Sequence, residues 1–300
     1  MKTIGESAFE NCDSLESIEV PSGVKTLGEN AFYSCDNLSD VKLNDGLRNI
    51  GLGSFAYCKA LTSINIPDSV TTISEQTFAY SGLKSIVVPD SVDTIEKLAF
   101  YGCASLKNVK LPDNEDFTVI YNGTFGNCGQ LTNITIPDTV THIDQDVFYN
   151  SGITELTVPK SVVAVYVDFA YTETLEKITF LNPDCIIDDS YAFMGYDNTI
   201  HSNAVIYGYE NSTAQAYAEK YSRTFVLLGT NPEDEITVGD ADGDGEITIM
   251  DATQVQLHLA QLVELDESQS FAADTDKNGE ISILDVTNIQ LFLAGIITEF

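Results

Sequence analysis

The sequence predicts a multidomain chain: a solenoid of stacked parallel β-strands, short helices and turns over the first three quarters, then a small all-α module. Three observations carry this. A phenylalanine returns at Phe9, Phe32, Phe55, Phe78, Phe100, Phe125, Phe148, Phe169 and Phe193, at gaps of 23, 23, 23, 22, 25, 23, 21 and 24 residues. A twelve-residue acidic phrase, DADGDGEITIMD at 240–251, recurs 34 residues later as DTDKNGEISILD at 274–285. The formal charge of −32 is also unevenly divided. Residues 231–300 hold sixteen acids and one base (Lys277), whereas residues 1–230 hold thirty acids and thirteen bases.

The repeat comes first. Around each phenylalanine runs a fixed phrase, clearest at 61–83, LTSINIPDSVTTISEQTFAYSGL. Leu61, Ile64 and Ile66 read as the inward positions of a short strand, with Ser63 and Asn65 alternating outward as a pleat requires. Pro67 ends the strand by withholding a ladder donor. Val70 and Ile73 point inward again, and Phe78 fills the middle of the coil. A single unit this small cannot bury its apolar edge, whereas stacked units bury a continuous core. The phrase, as IGESAFENC at Ile4–Cys12 and IPDSVTTI at Ile66–Ile73, resembles the BspA-like leucine-rich repeat over roughly residues 4–182. It loosens at 112–125, where PDNEDFTVIYNGTF carries an insertion, and at 159–170, where one unit is shortened. The resemblance implies a leucine-rich-repeat solenoid whose strand face serves recognition.

Residues 204–228 break the period and read as a strand, a helix from about Ser212 to Tyr221 and a last strand, a polar-faced cap for the solenoid end. The solenoid is thus expected over 1–230 with its cap at about 200–230, a short acidic linker over 231–238, and the second domain over 239–300. Met1-Lys2-Thr3 leads directly into a repeat, so we read the chain as beginning inside a longer protein.

Cys12, Cys35, Cys58, Cys103 and Cys128 stand three residues after a repeat phenylalanine, a slot that Ser81 and Ser151 also occupy. A slot shared by Cys and Ser reads as a small buried packing position holding free thiols. Cys185 lies outside it and is expected in the core. No C-x-x-C pair exists, so the column does not read as a metal site. His142, His201 and His258 are scattered without a nucleophile or carboxylate at a recognisable spacing, and no catalytic residues are expected.

The outward strand positions form two columns: Glu19, Lys42, Asn65, Val87, Lys110, Thr135, Thr157 and Thr179, beside Ser17, Asp40, Ser63, Ser85, Asn108, Asn133, Glu155 and Lys177. They are mostly small and uncharged, lack aromatics, and fit a protein or peptide ligand, or a merely solvated surface. Tyr33, Tyr57, Tyr80, Tyr101 and Tyr149 line another edge, as an exposed ridge or as rim packing.

The two acidic phrases put side-chain oxygens at loop positions 1, 3, 5 and 12 with glycine at position 6. That spacing wraps one loop around a calcium ion, which takes six to eight oxygen ligands. The predicted ligands are Asp240, Asp242, Asp244, Glu246 (backbone carbonyl) and Asp251, then Asp274, Asp276, Asn278, Glu280 (carbonyl) and Asp285, for two Ca2+ ions. The stretches that follow also repeat, as DATQVQLHLA and DVTNIQLFLA. One face, Val255 and Leu259 against Ile289 and Leu293, is expected to pack the module.

Two such loop–helix units resemble the type I dockerin over about 239–297. The resemblance implies a partner, the cohesin domain of a scaffoldin. It places partner recognition at Ile249, Met250, Gln256 and Leu257 and at Ile283, Leu284, Gln290 and Leu291. The best-known members carry hydroxyl pairs where this chain has the apolar pairs Ile249-Met250 and Ile283-Leu284, so an apolar-centred interface is expected, with either copy able to dock.

The strong negative charge argues against nucleic acid and anionic membranes, and no apolar run reaches the length of a membrane helix. A monomeric, secreted, cellulosome-associated and non-enzymatic protein is expected, attached through calcium and cohesin while the solenoid binds protein or a surface. An accessory module to an upstream enzyme, or a spacer or inhibitor on the scaffold, remain the alternatives.

Overall fold

Thr3 pairs with Thr26 and Ile4 with Leu27 in parallel register, an offset equal to one phenylalanine period. The ladder so begun runs through Thr3–Ile4, Thr26–Leu27, Asn49–Ile50, Thr72–Ile73 and Thr94–Ile95. It resumes as a four-stranded ladder of Val119–Ile120, His142–Ile143, Ala164–Tyr166 and Ile186–Asp188. In this computed structural model, residues 2–166, 171–188, 200–229, 237–242 and 246–300 are described. They form two units, Met1–Leu228 and Gly229–Phe300.

The first unit is a parallel-strand solenoid with a second wall. There Ser17–Glu19 pairs with Asp40–Lys42, Ser85–Val87 with Asn108–Lys110, and Glu155–Val158, Lys177–Phe180, Val205–Gly208 and Phe225–Leu227 form one sheet. The predicted outward columns meet in these registers: Glu19 faces Lys42, Val87 faces Lys110 and Thr157 faces Thr179. The expected strand at 61–66 differs. Leu61, Ile64 and Ile66 are buried and Ser63 and Asn65 exposed, yet no strand is assigned there. Burial of alternate side chains is enough to set the alternation, and surface backbone groups can take water instead of a ladder partner. The Thr72–Ile73 wall went unread as strand because two residues per rung leave almost no alternation to detect.

Between the walls the phenylalanines stack. Phe9, Phe32, Phe55, Phe78, Phe100, Phe125 and Phe148 lie ring over ring, with successive centroids 5.2, 5.3, 5.8, 5.5, 5.7 and 6.2 Å apart. Phe169 and Phe193 lie outside the described residues. The insertion at 112–125 adds Phe117 to the core, fully buried. The backbone reaches around each ring through paired left-handed residues such as Gly53 and Tyr57, or Gln76 and Tyr80. These turns aim alternate N–H groups at the next rung: Phe55 donates to Thr77, and Tyr57 to Ala79.

The cysteine slot does more than pack. Cys35, Cys58, Cys103 and Cys128 donate their thiols to the carbonyls of Phe9, Phe32, Phe78 and Phe100, at 3.0, 3.1, 3.1 and 3.2 Å. Thr172, in the same slot, donates to Phe148 at 2.8 Å. The cysteines and Thr172 thus use the slot as a donor as well as for packing, whereas the serines do not bond the phenylalanine carbonyl: Ser81 meets the Cys103 thiol at 3.4 Å and Ser151 Oγ is buried without a partner among the described residues. All six cysteines are free, and Cys185 is buried as expected.

Residues 204–228 form Val205–Gly208, helix α1 (Thr213–Lys220) and Phe225–Leu227. Ser212 caps α1 by accepting from Gln215 N–H, and Ala214, Tyr217 and Ala218 bury the inner face. The last strand departs from the polar-faced expectation, because Val226, Leu227 and Leu228 are exposed. Positions 231–236 of the expected linker lie outside the described residues.

Among its described residues the second unit has three helices: α2 (Ile249–Leu259), α3 (Glu267–Ala273) and α4 (Ile283–Leu293). Its core is Ala241, Ala252, Val255, Ala273, Val286 and Ile289. Val255 and Ile289 pack as expected, whereas Leu259 and Leu293 are exposed. Each sits in the last turn of its helix, and Ala252 and Val286, one turn earlier than Val255 and Ile289, take the buried places instead. Phe300 packs against this core and stacks on Phe292 at 4.8 Å.

Candidate functional site

Each acidic loop is tied to the helix that follows it by a capping box. Thr248 accepts from Met250 N–H at 3.1 Å while Asp251 Oδ2 takes the Thr248 N–H at 2.6 Å. Ser282 accepts from Leu284 N–H at 3.1 Å, and Asp285 Oδ2 takes the Ser282 N–H at 2.8 Å. The reciprocal bonds hold both position-12 carboxylates, each fully buried, at the helix N-terminus with their second oxygens turned to the loop. Asp251 Oδ1 accepts from Asp242 N–H at 3.0 Å. Asp285 Oδ1 accepts from Thr275 N–H, the Thr275 hydroxyl and Asp276 N–H at 2.9, 3.1 and 3.3 Å.

Three carboxylates converge in each loop. Asp240, Asp242 and Asp251 each offer an oxygen within 4.8 Å of the others, and so do Asp274, Asp276 and Asp285. Gathered like charges repel at this range, and an all-oxygen donor set suits a hard divalent cation such as calcium. Burial alone would raise the Asp285 pKa. The Ser282 N–H, the Thr275 and Ser282 hydroxyls and the Asp276 N–H outweigh it and leave the carboxyl below the ordinary range. Asn278 Oδ1 accepts from Glu280 N–H at 2.8 Å, and Glu246 and Glu280 carry exposed side chains. Asp244 and Gly245 lie outside the described residues.

The eight residues expected at the partner face follow one pattern in both copies. Ile249, Met250 and Gln256 are exposed and Leu257 half-buried; Ile283, Leu284 and Gln290 are exposed and Leu291 half-buried. Two further apolar residues share that repetition and went unread. Leu262 and Ile296, 34 residues apart, are 71% and 68% exposed. Each follows a left-handed residue, Gln261 or Gly295, and donates its N–H back to Leu257 or Leu291 at 2.9 Å, closing the helix C-terminus. The repeated AQL and AGI triplets after the helices were the available signal.

On the solenoid, Lys42 pairs with its column neighbour Glu19 at 2.8 Å, and Lys110 reaches out of its column to Asp90 at 3.2 Å. The sheet extends the outward columns past Thr179 to Tyr207, whose ring lies under Lys177 Nζ at 4.9 Å. Along the other edge, Tyr33, Tyr57, Tyr80 and Tyr101 form a chain of ring contacts at 5.2, 4.7 and 5.6 Å, and Tyr149 meets Tyr171 at 5.0 Å. Most of these rings are half-buried; Tyr80 and Tyr171 are exposed. The edge is therefore both rim packing and ridge. Among the described residues no helix is long and apolar enough to cross a membrane.

The BspA type leucine rich repeat region matches residues 1–106 and 71–200, in six copies. The dockerin type I domain matches residues 238–293. No curated protein matches the chain. Among solved structures, the chain is similar to a leucine-rich repeat protein from Bacteroides ovatus, with 26% identity and a TM-score of 0.57 over 69% of this chain and 59% of that one. It is also similar to the leucine rich repeat protein of T. pallidum, with 33% identity and a TM-score of 0.46 over 48% of this chain and 67% of that one. A leucine rich cell surface protein from Faecalibacterium prausnitzii shares 20% identity, with a TM-score of 0.41 over 64% of this chain and 73% of that one. This chain thus spans 59% of the length of the Bacteroides ovatus protein. Type I dockerin domains are calcium-binding modules that pair with cohesins.

Proposed function

We propose, for a chain that belongs to the BspA type leucine rich repeat family and carries a type I dockerin domain, that it is a non-catalytic secreted component of a cellulosome. In this reading the dockerin anchors the chain to a scaffoldin cohesin in a calcium-dependent way, and the solenoid binds protein or a cell surface. The domains are then the solenoid over 1–230, a linker over 231–238 and the dockerin over 239–300.

The observation that carries the reading is the convergence of three carboxylates in each loop beneath a capped helix. Two calcium ions would be held, by Asp240, Asp242, Asp244, Asp251 and the Glu246 carbonyl, and by Asp274, Asp276, Asn278, Asp285 and the Glu280 carbonyl. Calcium supplies the positive charge that lets these carboxylates share one loop. The chain's own part is to fix the position-12 carboxylates through Thr248 and Ser282 and so set the pitch of α2 and α4. With the helices fixed, Ile249, Met250, Gln256 and Leu257, or Ile283, Leu284, Gln290 and Leu291, meet the cohesin, with Leu262 or Ile296 beside them. The matching exposure of the two copies supports docking in two orientations. The polar, ion-paired solenoid columns favour a protein ligand over a sugar, which needs open aromatic faces.

The test is capture from the secreted proteins of a cellulosome-forming anaerobe, using the full chain and an Asp251→Ala/Asp285→Ala variant. Capture of a cohesin-bearing scaffold by the native chain alone, released by EDTA, supports the reading. Equal capture by both proteins removes it.

A further inference from the structure

The chain contains two Asn-Gly steps, Asn122-Gly123 in the solenoid and Asn278-Gly279 in the second acidic loop. Such a step can react with itself. Glycine has no Cβ to obstruct its own nitrogen, so that nitrogen can attack the asparagine Cγ. The new N–Cγ bond forms as the Cγ–Nδ2 bond breaks, and the glycine N–H proton leaves with the nitrogen as ammonia. Water then opens the resulting five-membered imide at one carbonyl or the other, giving aspartate or isoaspartate. Water enters, ammonia departs, and no oxidant or reductant is needed.

The two steps sit in opposite environments. At Asn122 the leaving nitrogen is held, with Nδ2 donating to the Gln145 carbonyl at 3.1 Å and to Asp146 Oδ2 at 3.2 Å. The attacking nitrogen is held as well. Gly123 is buried and donates its N–H to the Gln145 carbonyl at 3.1 Å, an acceptor that cannot draw off a proton. At Asn278 both residues are exposed. The Gly279 N–H points at a carboxylate, Asp274 Oδ2, at 2.8 Å, a group able to take a proton. The Asn278 side-chain oxygen accepts from Glu280 N–H at 2.8 Å, where negative charge would develop as the nitrogen attacks. One site restrains both reacting nitrogens, and the other supplies a base and an oxyanion donor.

We propose that Asn278 is a site of spontaneous deamidation in the calcium-free chain, with Asp274 assisting the proton loss. Conversion to aspartate gives the second loop the position-5 residue that the first loop already has in Asp244. Conversion to isoaspartate inserts an extra backbone carbon between Asn278 and Gly279, which shifts Glu280 and Asp285 relative to Asp274 and spoils the ligand spacing. Protection by calcium, which would engage both Asp274 and the Asn278 oxygen, is the one clause that rests on the proposed function.

The experiment incubates the full chain at mildly alkaline pH, in EDTA and in excess calcium, and follows both asparagines by peptide mass mapping (a gain of about 1 Da). An isoaspartyl-specific methyltransferase assay separates the two products. In EDTA, Asn278 should convert at least about tenfold faster than Asn122, a floor below the roughly 10²–10⁴-fold that positioned proton transfer can supply. Asp274→Asn should slow Asn278 several-fold and leave Asn122 unchanged. Equal rates at the two asparagines, or no effect of Asp274→Asn, overturns the proposal. Rapid conversion at Asn278 that calcium does not slow upholds the modification site and counts against calcium in the second loop.

Discussion

The thiol of Cys58 lies 3.1 Å from the carbonyl oxygen of Phe32, one rung back, and both residues are fully buried. That bond ties the side-chain column to the phenylalanine stack. It also makes the slot's preference testable. Cys58→Ser should stay close to native stability, because a hydroxyl can also donate. Cys58→Ala should cost roughly 0.5–1.5 kcal/mol, because the Phe32 carbonyl loses the thiol and keeps the Cys35 N–H at 3.3 Å. The readout is the thermal transition of the solenoid in each variant.

Burial pushes the Cys58 thiol from 9.0 up to about 12, the Cys103 thiol to about 11 and the Cys185 thiol to about 12. A raised folded-state pKa contributes stability that is fully present below the unfolded value and is lost as pH rises through the folded value. The solenoid should therefore weaken across the window between about 9 and 12. At neutral pH, Ellman's reagent should modify half-buried Cys12 first and reach the five buried cysteines only with unfolding. Rapid native-state reaction at all six would contradict the buried column.

The repeat and the loops were legible because each is a spacing. Phenylalanine at about 23-residue intervals and the DxDxDG and DxDxNG phrases fix what must stack and what must converge. The rest depends on contacts that spacing does not encode. The donor role of Cys58 needs the previous rung's carbonyl, and Leu259 and Leu293 look like core until the helix crossing is seen. The exposed Val226–Leu228 edge belongs to the same class, since an apolar triplet reads as interior until it is placed on the last of the described strands of its sheet.

Calcium affinity should differ between the loops. The first has four carboxylates, at Asp240, Asp242, Asp244 and Asp251. The second has three, at Asp274, Asp276 and Asp285, together with the positive charge of Lys277. Ligand charge tunes such sites, so calorimetric titration should resolve a tighter and a weaker step. Lys277→Gln should tighten the weaker step by up to about fivefold. A single unresolved step unaffected by that substitution would contradict the assignment.

The two docking faces should be interchangeable. Ile249→Ala/Met250→Ala, or Ile283→Ala/Leu284→Ala, should weaken cohesin affinity by only about twofold, the statistical loss of one of two equal modes. The quadruple variant should abolish binding. Loss of all binding with either pair alone would mean a single face docks.

Phe300 lies over Gly239, where an added Cβ would come within 2.5 Å of the Phe300 ring and where φ is +98°. Gly239→Ala should therefore lower the melting temperature of the second unit through both overlap and backbone strain, and Phe300→Ala should lower it by uncovering the core.

The most direct test of the account is cohesin binding to the immobilised full chain, measured in calcium, then in EDTA, then with calcium restored. The account predicts binding in calcium, loss in EDTA and recovery on restoration, with Asp251→Ala/Asp285→Ala inactive throughout. Binding that persists in EDTA, or no binding to any type I cohesin with calcium present, would contradict it.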